Sequence, residues 1–206
     1  MSRFAFALAA AAVAAPALLA QTAAPRAATP AAAAAAPSAA KQIAAAVLAL
    51  PEEMRANAAV LGYADGRLTR LREGTNHMVC LADDPREAGF HVACYHESLE
   101  SFMARGRELR AQGMTNAEAI DSVRFADVAA GRIHMPAVAG LYSLTGDTAS
   151  WDSTTNQVRG GRALYVVYVP FATEASTGLS SQPRPGMPWI MSAGTPRAHI
   201  MYFQGR

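Results

Sequence analysis

Cysteine is scarce: Cys80 and Cys94 are the only two in 206 residues. A dense disulfide scaffold is therefore excluded, and with no cysteine near residue 20 so is a lipid anchor there. Charge of one sign is also lacking, since 18 basic residues face 16 acidic ones for a formal net charge of +2. That balance offers no electrostatic basis for binding nucleic acid or an anionic membrane. The local basic groups Arg67/Arg70/Arg72 and Arg105/Arg107/Arg110 are interleaved with leucines and acids, the pattern of solvated faces. Catalytic signatures are missing too. There is no G-x-S-x-G, no phosphate or dinucleotide fingerprint and no C-x-x-C-H for haem, and Ser38-Ala39-Ala40-Lys41 has the form S-x-x-K without its partner motifs. No cofactor is expected.

One long apolar run is present, over residues 4–20 behind Arg3. It is built mostly of alanine, contains Pro16 and falls short of the roughly 20 strongly apolar residues that span a bilayer. The expectation is a cleavable signal over residues 1–20, hence an exported chain, periplasmic or extracellular, with no membrane span after cleavage. Residues 21–40 are Ala, Pro, Thr and Ser with one charge, Arg26, and Pro25, Pro30 and Pro37 interrupt any helix. They read as a disordered tether. Residues 41–206 are the size of a single domain with its own core.

Within that domain, Ile43, Val47 and Leu50 share one side of a short helix that Pro51 ends. Asp65-Gly66 between two runs of strand-like residues predicts a tight hairpin, because a type I′ turn needs positive φ at both central positions. Residues 77–82 and 90–95 read as two further strands, and an antiparallel meander of three or four strands is expected. Two helices follow, over residues 98–112 and from a Thr115-Asn116-Ala117-Glu118 capping box to Gly131. The C-terminal third predicts strands at residues 138–144, 163–169, 189–191 and 199–203. The run at 164–169 is apolar enough to suggest cover on both faces, and 173–188 reads as a long exposed loop. The fold class expected is α+β, an antiparallel sheet packed against two helices.

In an exported chain the two cysteines point to a disulfide. Pairing Cys80 with Cys94 across neighbouring strands also pairs Met78 with His96 and Ala82 with Val92. Two buried free thiols are one alternative. Another is a metal, since His77-Met78-Val79-Cys80 and His91-Val92-Ala93-Cys94 are both H-x-x-C, but strand side chains three apart point to opposite faces, so no metal site is expected. The same register puts His77, His91 and Glu97 on one side. His96-Glu97-Ser98-Leu99-Glu100 begins like a zincin helix yet carries Glu where the second His belongs. The candidate polar cluster is therefore His77, His91, His96, Glu97, His134 and His199. Three or more of these converging in one pocket would favour an enzyme, and dispersal a binding protein.

Leu71-Arg72-Glu73-Gly74-Thr75-Asn76, followed by Cys80, Asp83, Pro85 and Cys94, resembles the pattern L-R-x-G-T-N-x-x-x-C…D-x-P…C of a family of uncharacterised exported bacterial proteins. Pro188-Trp189-Ile190-Met191 and Gly194-Thr195-Pro196-Arg197-Ala198-His199-Ile200-Met201 resemble that family's C-terminal signature. The resemblance covers about a third of the chain after residue 20 and implies export and a two-cysteine domain. It carries no catalytic residue across. The function expected is a non-enzymatic module binding a small molecule or a cell-envelope partner, with Tyr142, Trp151 and Trp189 as the first candidate binding aromatics. The alternative is a secreted metal-dependent or histidine-based hydrolase.

Overall fold

Asp65 and Gly66, at φ 50° and 73°, make the tight turn that Asp-Gly predicts, joining β1 (Ala59–Ala64) to β2 (Arg67–Arg72) in an antiparallel hairpin. The computed structural model describes residues 36–147 and 150–203, so the expected signal and most of the expected tether lie outside the described residues. A second hairpin joins β3 (Met78–Leu81) to β4 (Phe90–His96), with Cys80 opposite Cys94 and Met78 opposite His96. The sulfurs are bonded, Cα to Cα 3.9 Å apart. That is the predicted register.

Between these hairpins the chain departs from a meander. Arg72 donates from Nε to the Ala58 carbonyl at 2.9 Å and from its terminal nitrogen to that of Arg55 at 2.6 Å. The Thr75 N–H reaches the Asn57 carbonyl at 2.8 Å, and the Asn76 amide donates to that of Met54, also at 2.8 Å. These four contacts collect the carbonyls left open between α2 (Glu52–Arg55) and β1. Gly74 passes so close that a Cβ there would meet Ala59 N and sit 2.8 Å from Ala58 C and Ala59 Cα. The crossing delivers β3 to the inner side of β1 in parallel, Ala59 opposite Val79 and Leu61 opposite Leu81. The sheet is thus mixed, where an antiparallel one was expected.

β5 (Ala139–Gly146), β8 (Arg162–Tyr168), β9 (Trp189–Met191) and β10 (His199–Phe203) complete an eight-stranded sheet in the order β2-β1-β3-β4-β5-β8-β10-β9. The sequence reading missed two small pieces: the hairpin of β6 (Trp151–Asp152) and β7 (Gln157–Val158), and α5 (Glu174–Thr177) inside the expected 173–188 loop. The fold class is α+β.

Helices lie on both faces, not on one. Residues of α3 (Glu100–Ala111) and of the 3-10 turn Glu97–Leu99 pack on Val79, Tyr95, Val166 and Tyr168, with Met103 and Leu99 at the contact. On the opposite face, Ala46, Val47 and Leu50 cover Val60 and the disulfide. α4 (Ala117–Ala129) is capped by Asn116, whose Oδ1 accepts from the Ala119 N–H at 2.8 Å, one residue later than the capping box predicts. Gly113 and Gly131, at φ 92° and 71°, end α3 and α4 as expected.

α1 (Ala39–Ala46) starts inside the stretch read as tether. Its Gln42 is buried, accepting from the Tyr63 N–H at 2.7 Å while donating to the carbonyls of Tyr63 and Pro37 at 2.8 and 2.7 Å. Beyond Leu61, β1 has outrun β3, and this side-chain amide replaces the missing strand. The cover expected on both faces of β8 is also corrected. Val166 and Tyr168 are buried, but Val167 is 39% exposed, because the elements over the disulfide face do not extend that far.

Candidate functional site

The crossing that makes the sheet mixed also sets His77. This residue stands between the Asn76 side chain and β3 at φ 61°, a left-handed conformation that costs a non-glycine residue about 1 kcal/mol or more. Its carbonyl accepts from the Glu97 N–H at 2.8 Å, extending the β3–β4 ladder by one rung. Its Nδ1 lies 2.7 Å from Glu97 Oε1. A carboxylate only accepts, so Nδ1 carries a hydrogen, and in the uncharged ring Nε2 is left as a lone-pair acceptor.

His96 has the opposite arrangement. Its Nδ1 accepts from the Ser98 backbone N–H at 3.2 Å and lies 2.8 Å from Ser98 Oγ, capping the 3-10 turn Glu97–Leu99. With Nδ1 accepting, the unprotonated ring carries its hydrogen on Nε2 and is a donor there. The two rings sit with centroids 6.1 Å apart, and neither Nε2 has a partner among the described residues. Local hydrogen bonds have fixed one imidazole as an acceptor and its neighbour as a donor.

Both rings line a groove of about 710 Å³ with Glu97, Ser98, Arg70 and Glu73. The charged groups around them are paired. Arg70 lies 3.4 Å from Glu73, and Glu100 accepts from Arg107 at 2.6 Å and from the Tyr95 hydroxyl at 2.5 Å, while Arg107 also donates to that hydroxyl at 2.8 Å. Burial pushes the Tyr95 phenol above its ordinary value, and the hydrogen bond it gives Glu100 adds to this. Tyr95 is thus a neutral donor beneath the groove. Glu100, which stands where a zincin has its second His, is in the first turn of α3 and faces Tyr95 and Arg107.

Of the six polar candidates, His77, His96 and Glu97 come together and three do not. His91 is the second residue of β4, about 17 Å along the strand from His96 at about 3.4 Å per residue, with Nε2 3.1 Å from Ser143 Oγ. His134 is exposed in the connection between α4 and β5. His199 is buried on β10, its ring stacked on Tyr168 at 5.2 Å and its Nδ1 donating to the Arg197 carbonyl at 2.6 Å. Burial holds its pKa below the usual histidine value. Asp121, which accepts from Arg197 at 2.5 Å and is also paired with Arg124, lies in the same cluster. Among the described residues, no three His, Cys, Asp or Glu side chains are placed to hold one metal ion, and both cysteines of the H-x-x-C pairs are in the disulfide.

The aromatic candidates also separate. Trp151 stacks on Phe90 at 5.6 Å and donates to Asn156 at 3.2 Å, and Tyr142 meets Tyr165 edge-on at 5.7 Å. Trp189 instead walls a cleft. The two sequence signatures have structural work: the first builds the crossing, and the second closes the β9–β10 hairpin, where Thr195 bonds Ser192 and Gly194 N–H reaches the Ala172 carbonyl at 2.7 Å. No helix among the described residues is long and apolar enough to cross a membrane. Compared with known proteins, the chain matches no family model, no curated protein and no solved structure.

Proposed function

We propose that this is an exported, disulfide-stapled module that binds a small polar molecule in the groove between His77 and His96. The observation that carries the reading is the complementary pair of imidazoles, an acceptor Nε2 on His77 and a donor Nε2–H on His96, held by Glu97 and Ser98. A ligand with a donor beside an acceptor, such as a carboxamide, a hydroxy acid or a sugar, matches that pair. Export is supported by the N-terminal segment, the disulfide and the resemblance to exported bacterial proteins. Titrating small amides, hydroxy acids and sugars against the oxidised protein, followed by backbone amide NMR, tests the reading. Saturable shifts confined to residues 70–78 and 96–100 are expected from at least one class. No saturable shift at millimolar concentration from any class refutes it.

One observation favours a second reading, acid–base hydrolysis: His77, His96 and Glu97 share one groove, the convergence that marks an enzyme. His77 would take a proton from water, held upright by Glu97, while His96 donates to a carbonyl oxygen. Hydrolysis of p-nitrophenyl acetate is the assay. A rate that falls about 100-fold in His77→Gln supports turnover, and a rate equal to that of free imidazole and unchanged in the variant leaves binding alone.

A further inference from the structure

A second site stands at the other end of the sheet, away from His77 and His96. The loop 183–187 stands beside the β9–β10 edge and leaves a cleft of about 380 Å³, within the range of small-molecule pockets at ~300–1,000 Å³. Its walls are Pro183, Pro185, Met187, Trp189 and Phe203, and its one charged residue is Arg184. Trp189 and Phe203 pack with ring centroids 5.4 Å apart. Trp189 is 4% exposed, yet Phe203 and Met187 are 47% and 58% exposed, so the cleft has an aromatic floor and uncovered apolar sides.

Two polar features show what the cleft lacks. The Trp189 indole N–H is buried with no acceptor, a deficit of about 1–3 kcal/mol. Arg184 is exposed and makes no ion pair among the described residues, so its guanidinium is open to an anion at the mouth of the cleft. An apolar body would cover Met187 and Phe203, an oxygen would meet the indole, and a negative charge would meet Arg184. We propose that this cleft binds an apolar carboxylate, an alkyl or aryl chain ending in –COO⁻. The tail lies along Trp189 and Phe203, and the carboxylate is shared between Arg184 and the indole N–H.

Decanoate, kept below its micelle-forming concentration, is the probe, with decanol as the neutral control. The chain has two tryptophans, so a proton–nitrogen spectrum shows two indole signals, assigned by Trp151→Phe. Decanoate is expected to move the Trp189 indole signal downfield saturably and leave that of Trp151 in place. Arg184→Gln, a change in an exposed loop whose folding circular dichroism confirms, is expected to weaken decanoate about tenfold, the scale of one charge-assisted hydrogen bond, and to leave decanol unchanged. An unmoved indole signal, equal binding of decanoate and decanol, or an unaffected Arg184→Gln overturns the proposal. So does a Trp189 signal that moves with protein concentration alone, which would mark a second copy as the occupant.

Discussion

Reducing the Cys80–Cys94 bridge removes a cross-link without removing a heavy atom of the core. The cysteines are separated by 14 positions, and freeing a loop of about 15 residues returns about 3 kcal/mol of chain entropy to the unfolded state. Replacing both by alanine also deletes two fully buried sulfurs, each at 0% exposure. At about 1 kcal/mol for each buried group lost, the double variant should fall about 5 kcal/mol below the oxidised protein. For a chain of this size 1 kcal/mol moves Tm by about 2–4 °C, so reduction should lower it by about 6–12 °C and Cys80→Ala/Cys94→Ala by about 10–20 °C. The assay is thermal and urea unfolding of the oxidised, reduced and double-alanine proteins under identical buffer. Coincident midpoints for the oxidised and reduced forms would refute the reasoning, since the register places the bridge between two strands that are otherwise separate in the unfolded chain.

Gln42→Ala should destabilise by about 3 kcal/mol in urea unfolding, because both backbone groups of Tyr63 lose their partner at about 1–3 kcal/mol each. Gly62→Ala should cost about 2 kcal/mol, since its Cβ would lie 2.6 Å from Gln42 Oε1; combined with Gln42→Ala the loss should be less than the sum. Gly74→Ala should cost at least about 2 kcal/mol, because the atoms it meets are backbone, and should move the His77 NMR signals with it. On acidification, burial keeps the folded pKa of His199 below its unfolded value, so the unfolded state binds the proton first. Stability should be full above about pH 6.5 and fall below it as pH drops toward the folded pKa, and His199→Gln should flatten that slope in urea midpoints measured across pH. A second loss should follow from about pH 4 down to about 2, where Asp84, held low chiefly by its hydrogen bond from Arg86, takes up a proton.

The local parts of this fold were legible because each rests on short-range physics. Asp65-Gly66 demands a left-handed turn, Gly113 and Gly131 stop helices, and a pair of cysteines on adjoining strands admits one register. The parallel β1–β3 pairing was not legible, since it depends on which carbonyls Arg72, Thr75 and Asn76 collect, and those belong to residues up to 22 positions away. The exposed Val167 was hidden for a similar reason, because burial depends on how far across the sheet the residues that cover the disulfide reach. At the site, the shared side of His77 and Glu97 followed from strand alternation. What each ring nitrogen does was invisible, because it turns on Ser98 curling back to His96 and on His77 adopting a positive φ. His91 satisfied the same alternation and still lies apart, at the far end of its strand.

The claim on which the functional account turns is that Glu97 and Ser98 impose opposite tautomers on neighbouring imidazoles. Long-range proton–nitrogen NMR of the histidine rings reads those tautomers directly. The account predicts a protonated Nδ1 for His77 and a protonated Nε2 for His96, with His77 losing its preference in Glu97→Ala, which removes the acceptor. The same tautomer on both rings, or a His77 pattern indifferent to that change, would contradict it.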